Sequence, residues 1–471
     1  MTTIGLFGIG LDTYWNQFEG LKERLLDYQN QIKEKMELDG ISVIDAGLVD
    51  TIDKARIAGD YLNNNGVDLV FLYVSTYALS STVLPVVQRI SAPLVILNLQ
   101  PVAAIDYEHF NKLNDRGQMT GEWLAHCQAC SVPEIANVLN RSGISYDFVT
   151  GYLDDQEAWN DIYQWLDAAK VAKVMKNNNL GVLGHYYGGM LDVYTDLTQQ
   201  SAVFGNHIDL IEMCELAALR EQVSASDIQR KIQEFYDRFE VIESCDTLEL
   251  ERAAKTSVAL DWLVEKHQLG SLAYYYEGEP GNEYENIATS VIAGNTLLTG
   301  KHVPVAGECE IKNAQAMKII DAFGAGGSFS EFYAMDFNDD VVLLGHDGPA
   351  HVEIAEGSVK LVPLPIYHGK PGKGLSIQMT VKHGPVTLLS VVQGKDDVFL
   401  LVTEGESVSG PVLEIGNTNS RYRFKMGAKA FMNEWSKQGP AHHCAIGVGH
   451  LVDKIEKLGQ ILNIRVVCIG N

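Results

Sequence analysis

Carboxylates and imidazoles stand beside glycine, or at the end of an apolar run, in four separate segments of this sequence. The segments are VAGECEIKNA with Glu308 and Glu310, GAGGSFSEFYAMDF with Glu331, LLGHDGPAH with His346, Asp347 and His351, and GPAHHCA with His442 and His443. Carboxylate oxygens and imidazole nitrogens together suit Mn²⁺, Mg²⁺, Fe²⁺ or Zn²⁺. An open octahedral site built from two of each keeps positions for substrate oxygens, as a metal-assisted reaction of a diol or hydroxy-carbonyl compound requires.

Each of these residues, taken singly, also has an ordinary structural interpretation. A Glu next to a glycine is usually a surface turn residue, and a single His in a β domain is usually a hydrogen-bonded structural residue. His442 and His443 are neighbours, so their rings point in different directions. For Asp347 and His351 the sequence leaves open a place beside the metal, a sugar contact and plain turn chemistry, because Asp-Gly-Pro is an ordinary turn. The metal hypothesis therefore requires a fold that brings the four segments together.

In their order along the chain, the four segments resemble the metal-binding motifs of the L-arabinose isomerase family, within the wider arabinose/fucose isomerase group. The matching stretches are Ala306-Gly307-Glu308, Gly326-Gly327-Ser328-Phe329-Ser330-Glu331, Leu344-Gly345-His346 and Ala441-His442-His443. The resemblance implies that Mn²⁺, or another divalent cation such as Mg²⁺ or Co²⁺, is held by Glu308, Glu331, His346 and His443. It also implies that Glu308 and Glu331 carry out the proton transfers.

The resemblance is looser for the residues that contact substrate. Leu124-Ala125-His126 is similar to a family segment whose His reaches the substrate of a neighbouring subunit, and Met190 falls near a methionine that lines the family's pocket. His442 would contact substrate, and Tyr276, one of several clustered aromatics, could stack on a sugar ring. The chain departs from the family at residues 10–15, at Trp123 and at residues 347–351. The resemblance to the family therefore supports the metal site better than it supports any particular sugar as the substrate.

The function implied is that of an aldose–ketose isomerase acting on a pentose or 6-deoxyhexose such as L-arabinose, by proton transfer through a cis-enediol. A different sugar, such as fucose, is one alternative within the same class. A metal-dependent hydrolase or lyase would use the same Glu and His residues with a metal-bound water. A non-catalytic sugar-binding protein would need the α/β regions but not the four ligands together.

Composition excludes several other classes of function. The chain has 471 residues with a net charge of −25, and a field of that sign disfavours nucleic acid and anionic membrane surfaces as partners. No apolar run approaches the ~20 residues that span a bilayer, and no signal peptide is evident, so we expect a cytoplasmic protein. The seven cysteines are odd in number and scattered, which fits reduced thiols. Neither the Cys127-x-x-Cys130 spacing nor the Gly8-x-Gly10 pair is specific enough to indicate a redox or dinucleotide site.

Two hydrophobic patterns in the sequence predict the helices and strands that position these residues. Apolar, β-branched runs such as residues 67–75 and 92–100 alternate with helical segments, which indicates parallel sheets covered on both faces. From about residue 337, short strands separated by turn residues predict a mostly antiparallel β domain. We therefore expect two Rossmann-like α/β domains, 1–175 and 176–325, followed by a β-rich domain, 326–471, with a closing α/β segment. By resemblance, the protein would be a homo-oligomer, hexameric or smaller, with sites near subunit interfaces.

Overall fold

Continuous apolar runs form the parallel sheet of the N-terminal part of the chain, as the sequence predicts. In the computed structural model, which describes residues 1–277, 281–367, 370–371 and 373–470, the chain divides into two units, Met1–Lys173 and Val174–Asn471. All six residues of the run LVFLYV (Leu69–Val74) are buried, which is the burial expected of a central parallel strand.

The N-terminal unit has a single five-stranded sheet among its described residues. The strands are β1 (Thr2–Ile9), β2 (Ile41–Val49), β3 (Leu69–Val74), β4 (Leu94–Gln100) and β5 (Tyr146–Tyr152). The helices are α1 (Leu21–Met36), α2 (Ile52–Asn64), α3 (Leu84–Val87), α4 (Tyr107–Lys112), α5 (Arg116–Leu124), α6 (Val132–Arg141) and α7 (Gln156–Lys176), with 3-10 helices at Asp12–Tyr14 and Ser80–Thr82. The strand order is β2-β1-β3-β4-β5 and every pairing is parallel, so this is a doubly wound α/β sheet.

The second unit begins with another α/β layer. Its first strands are β6 (Asn179–Gly184), β7 (His207–Ile211), β8 (Glu240–Val241), β9 (Ser271–Tyr275) and β10 (Val305–Ala306). Its helices are α8 (Leu197–Phe204), α9 (Met213–Glu221), α10 (Ala225–Arg238), α11 (Thr247–His267), α12 (Glu283–Ala288), α13 (Ile292–Gly300) and α14 (Ile311–Ala322), with a 3-10 helix at Leu191–Val193. The parallel sheet has the order β10-β9-β6-β7, and β10 delivers the chain to Glu308.

The C-terminal strands close into a barrel. They are β11 (Gly326–Asp336), β12 (Val341–His346), β13 (Lys360–Pro363), β14 (Ile366–Tyr367), β15 (Lys370–Pro371), β16 (Leu375–Gln378), β17 (Gly384–Gln393), β18 (Val398–Val408), β19 (Thr418–Arg423), β20 (His443–Val448) and β21 (Arg465–Ile469), with helices α15 (Ala428–Lys437) and α16 (Val452–Leu462) and a 3-10 helix at Val352–Ile354. Strands β17, β20, β11, β12, β19 and β18 pair in that order, and β18 pairs back with β17. The predicted fold class, two parallel α/β regions followed by a mostly antiparallel β region, is confirmed. The division into three domains with boundaries at 175 and 325 stays a prediction.

Two local predictions of the sequence are wrong. The stretch HVEIAEG alternates like a strand, but it contains the 3-10 helix Val352–Ile354. The pattern of residues 285–301 predicts one helical segment, but the structure has two helices there, α12 and α13. Between them the hydroxyl of Thr289 donates to the carbonyl oxygen of Glu285, and that of Ser290 to the carbonyl oxygen of Asn286. These side-chain bonds compete with the backbone ladder and help to end α12. In the described part of the chain, none of the helices combines the length and apolar character needed to cross a bilayer.

Gly345 allows β12 to lie tightly between its neighbours. A Cβ atom at this position would lie 2.2 Å from the carbonyl oxygen of Thr418 and 2.6 Å from the Cβ of Asn419. We expect Gly345→Ala to lower the free energy of unfolding by about 3 kcal/mol, because backbone must move to admit the methyl group. The thermal midpoint checks this. Gly188→Ala is the control, since nothing lies within 4 Å of its added Cβ, and equal midpoints for the two variants would contradict the packing argument.

A histidine in the second unit gives this fold a pH dependence. His267 ends α11, with Nε2 2.7 Å from Glu215 Oε1 and Nδ1 2.6 Å from Asp209 Oδ2. The hydrogen bond with Glu215 raises the pKa of His267, burial lowers it, and the hydrogen bond with Asp209 raises it further, so the pKa lies above its usual value. A raised pKa stabilises the fold below the unfolded value of about 6.5 and ceases to do so as pH rises through the folded value.

The corresponding experiment compares the parent with His267→Gln over pH. We expect the thermal midpoint of the parent to exceed that of the variant most at about pH 6, with the gap shrinking as pH rises through the raised folded pKa. A gap that stayed constant, or widened with pH, would show that the two carboxylates do not stabilise the charged imidazole.

Candidate metal centre

Glu308 is presented by an unusual backbone bend. The strand β10 ends at Ala306, and Glu308 and Cys309 then have φ angles of 55° and 58°, in the left-handed region that non-glycine residues seldom adopt. The bend is held because the Cys309 N–H donates to the Tyr274 carbonyl oxygen at 2.9 Å and the Glu310 N–H to the Gly307 carbonyl oxygen at 3.0 Å. Backbone strain of this kind, of order 1–3 kcal/mol per residue, persists where the surrounding structure fixes it and is concentrated at functional sites.

Three neighbouring barrel strands supply the other predicted ligands. Glu331 lies on β11, opposite Gly345 of β12 on one side and His443 of β20 on the other. His346 is the last residue of β12 and His443 is the first residue of β20. The antiparallel register therefore brings together residues that are far apart in sequence, from the middle of β11, the end of β12 and the start of β20.

Glu308 lies among three imidazoles. Its Oε2 is 3.4 Å from Nε2 of His443 and 3.4 Å from Nε2 of His442, and its Oε1 is 3.9 Å from Nε2 of His346. Nε2 of His442 is also 3.8 Å from Oε2 of Glu331. Donor atoms of Glu308, His346 and His443 all lie within 4.8 Å of one another, as do those of Glu331, His442 and His443. The four predicted ligands thus fall into two overlapping groups that share His443.

The chemistry of these side chains fits a divalent cation. His443 is buried, and neither of its ring nitrogens has a hydrogen-bond partner among the described residues. The ring of Phe329 packs against His346 and His443, with centroids 4.4 and 4.5 Å away, and covers one side of the group. A buried imidazole without a partner is costly unless a ligand satisfies it. Ligand bonds of about 2.1 Å require donors about 3 Å apart, so the donor atoms within each group must move closer together to bind an ion.

His346 must change one hydrogen bond to act as a ligand. The backbone N–H of Gly348 donates to Nδ1 of His346 at 2.7 Å, so the neutral ring carries its proton on Nε2, the nitrogen that faces Glu308. Ligation through Nε2 requires the proton to move to Nδ1 and the Gly348 hydrogen bond to break.

Asp192 is a site residue that sequence reasoning missed. Its Oδ2 accepts hydrogen bonds from Nδ1 of His442 at 2.6 Å and from the backbone N–H of His442 at 3.0 Å. Burial alone would lower the pKa of His442, but the hydrogen bonds to Glu308 and Asp192 raise it to about 9. The Asp192 carboxylate therefore fixes the ring of His442 between Glu308 and Glu331. Its place two residues after Met190 is the one signal that could have drawn attention to it.

The remaining predicted site residues lie in several places. Met190, half-buried, immediately precedes the 3-10 helix that carries Asp192. Tyr276 follows β9, with its ring centroid 5.3 Å from that of Tyr284 and 5.8 Å from that of His185. His126 belongs to the N-terminal unit, where its Nδ1–H donates to the carbonyl oxygen of Glu122 at 3.0 Å. The substrate roles of these residues stay predictions.

The structure also locates His351 and Asp347, the two residues whose role the sequence left open. His351 is buried, and its Nε2 lies 3.7 Å from Oδ1 of Asp321, whose other oxygen accepts a hydrogen bond from Lys318. Asp347 is half-buried in the turn that follows β12. His351 is therefore part of a separate buried polar group built around Asp321.

Comparison with known proteins shows similarity to sugar isomerases. Residues 326–465 match the model of the L-arabinose isomerase C-terminal domain, a span that contains Glu331, His346 and His443. A sulfoquinovose isomerase of Alkalicoccus urumqiensis is 22% identical over 337 residues, which cover 70% of this chain and 74% of that protein. An L-arabinose isomerase of a Nocardioides species is 22% identical over 349 residues, with coverage of 70% and 68%, and that of Bacillus subtilis is 21% identical over 353 residues, with coverage of 72% and 69%.

The C-terminal part of the chain is similar to the L-arabinose isomerase C-terminal domain, and the chain as a whole is similar to named sugar isomerases. The relatedness extends well beyond the matched C-terminal domain, because each pairwise match spans about 70% of the chain. These relatives, at similar distance from the chain, carry the names of isomerases for different sugars, so the similarity by itself does not select a substrate.

Proposed function

We propose that this protein is a metal-dependent aldose–ketose isomerase that converts a neutral pentose or 6-deoxyhexose, with L-arabinose as the first candidate. The observation that carries the proposal is the convergence of Glu308, His346 and His443, together with Glu331 and His442, beside the paired strands β11, β12 and β20. The net charge of −25 supports a neutral sugar rather than an anionic one.

The difference in burial among the residues of this site indicates which of them would bind the metal and which would face the substrate. The side chains of Glu308, His346 and His443 are 9%, 6% and 0% exposed, whereas those of Glu331 and His442 are 28% and 34% exposed. The buried three would hold the cation, with Glu331 completing the ligand set from the open side. Bound there, a divalent cation such as Mn²⁺ supplies Lewis-acid stabilisation of the negative charge that develops on the sugar oxygens.

Glu331 and the Glu308–His442 pair would move the protons. Glu331, the more exposed carboxylate, takes the proton from C2 of the aldose, while the Glu308–His442 pair delivers a proton to O1, which gives the cis-enediol. Return of a proton to C1 and removal of the proton from O2 then give the ketose. Asp192 keeps the His442 ring in place during both transfers because it accepts from its Nδ1 and from its backbone N–H.

The experiment that tests this function is a panel of aldoses incubated with the Mn²⁺-loaded protein in D₂O. We expect L-arabinose or another neutral aldose to give a ketose, with solvent deuterium entering at C1 or C2 whenever the transferred proton exchanges. A panel that includes L-fucose and sulfoquinovose separates the sugars named or implied by the family. Hydrolysis without label at these carbons would support the hydrolase alternative, and binding without turnover the non-catalytic one.

The assembly and location of the protein belong to the same proposal. We expect a cytoplasmic homo-oligomer in which His126 reaches the substrate of a neighbouring subunit. His126→Asn should then raise KM without weakening Mn²⁺ binding, because His126 would touch only the sugar. Sedimentation of the Mn²⁺-loaded protein measures the oligomer, and a monomer with full activity would refute this arrangement.

A further inference from the structure

A buried ion pair that the mechanism above does not use lies directly behind His443. The side chain of Glu310 is fully buried and that of Lys312 is 3% exposed, and Nζ of Lys312 is 2.7 Å from Oε1 of Glu310. Removing two charges from water is unfavourable, and an apolar pair of similar volume often serves stability at least as well. The position of this pair is therefore more informative than its contribution to stability.

Lys312 is held in a single place. Besides its ion pair with Glu310, its Nζ donates to the carbonyl oxygen of Asp192 at 2.9 Å and to that of Val193 at 3.1 Å. Two hydrogen bonds and one ion pair therefore keep the Lys312 ammonium group beside the Glu310 carboxylate.

The other oxygen of Glu310 faces His443. Oε2 of Glu310 and Nδ1 of His443 are 3.9 Å apart, both side chains are fully buried, and neither atom has a hydrogen-bond partner among the residues that the structure describes. The opposite nitrogen of the same ring, Nε2, faces Glu308. A small rotation of either side chain brings Nδ1 and Oε2 to hydrogen-bonding distance. An acceptor on this side keeps the proton on Nδ1 and leaves the lone pair of Nε2 directed toward the metal centre.

The same short segment supports the neighbouring histidine. The 3-10 helix Leu191–Val193 offers its carbonyl oxygens to Lys312, and its Asp192 carboxylate accepts from the ring and backbone of His442. Both histidines of the Ala-His-His stretch are thereby supported by the same segment, Leu191–Val193.

We propose that Glu310 and Lys312 are positioning residues that orient His443 as a metal ligand, with the Leu191–Val193 segment as their anchor. The proposal rests on the proposed function only in taking His443 to be a ligand. It predicts that the pair acts on metal affinity through His443, and not on the stability of the fold.

The test measures Mn²⁺ affinity by titration calorimetry on the full-length protein, without sugar. The double variant Glu310→Gln/Lys312→Met removes both charges together, so that no unpaired charge is left buried. We expect it to melt within a few degrees of the metal-free parent and to bind Mn²⁺ about 10- to 100-fold more weakly. Glu310→Asp keeps the negative charge but withdraws the carboxylate by one methylene group, so an intermediate loss is expected.

A double-mutant cycle distinguishes positioning from a general structural effect. In a His443→Gln background the same double variant should cause little further loss of Mn²⁺ affinity, because its effect passes through that ring. An affinity within about twofold of the parent for both Glu310 variants would overturn the proposal, as would an undiminished loss in the His443→Gln background. If the double variant does not fold, Glu310→Asp decides alone.

The outcomes also separate this inference from the proposed function. Mn²⁺ binding that depends on Glu310, in a protein that isomerises none of the sugars tested, would sustain the inference and refute the function. Isomerase activity with Mn²⁺ affinity indifferent to Glu310 would do the reverse. A parent that binds no Mn²⁺ would overturn both.

Discussion

Glu308→Gln is expected to reduce isomerase turnover below detection and to weaken Mn²⁺ binding by about 100-fold or more, a larger loss than outer-shell substitutions cause. The reason is that Glu308 lies between the rings of His346, His442 and His443, within 3.4 to 3.9 Å of each. The amide keeps the size of the side chain but removes the negative charge that offsets the cation and the neighbouring imidazoles.

Calorimetric Mn²⁺ titration and ketose formation measure this expectation. Glu243→Gln is the matched control, because it makes the same chemical change at an exposed position in the same unit of the chain. Normal metal affinity in the Glu308 variant, with the control also normal, would remove Glu308 from the ligand set.

Glu331→Gln should separate catalysis from metal binding. Since Glu331 is more exposed than Glu308 and is assigned the carbon-bound proton, we expect kcat to fall by about 10³- to 10⁴-fold, within or near the range attributed to general acid–base catalysis. Mn²⁺ affinity should fall less than in Glu308→Gln, because Glu308, His346 and His443 remain to hold the ion.

Exchange of the C2 hydrogen with solvent is the sharper measurement for this variant. Labelled aldose incubated with Glu331→Gln should keep its C2 deuterium, whereas the parent should lose it during turnover. Washout at the parental rate in the variant would assign the base to another residue. A parallel collapse of metal affinity equal to that of Glu308→Gln would instead make Glu331 chiefly a ligand.

The sequence predicted the fold class because hydrophobic patterning is local. Runs such as Leu69–Val74, and the closely spaced strands after residue 337, carry their structure in their own residues. The same locality explains the failure at Val352–Ile354, where a short alternation of apolar and polar residues is compatible with either a strand or a turn of helix. The break between α12 and α13 is accompanied by hydroxyl-to-carbonyl hydrogen bonds, which hydrophobic periodicity does not register.

The sequence allowed prediction only of those site residues that lie in recognisable motifs. Glu308, Glu331, His346 and His443 could be named because each lies in a recognisable stretch. Asp192, however, is 250 positions from His442, and no local pattern links the two. The left-handed backbone at Glu308 and Cys309 occurs without glycine at either position, so no residue type there indicated it.

The central claim is that one divalent cation is held by Glu308, Glu331, His346 and His443. Anomalous diffraction from a crystal of the Mn²⁺-loaded protein, recorded at the manganese edge, tests it most directly. We predict one strong peak with a carboxylate oxygen of each Glu and Nε2 of each His about 2.0–2.3 Å away. A peak elsewhere in the molecule, or no peak at Mn²⁺ concentrations that support turnover, would contradict the account.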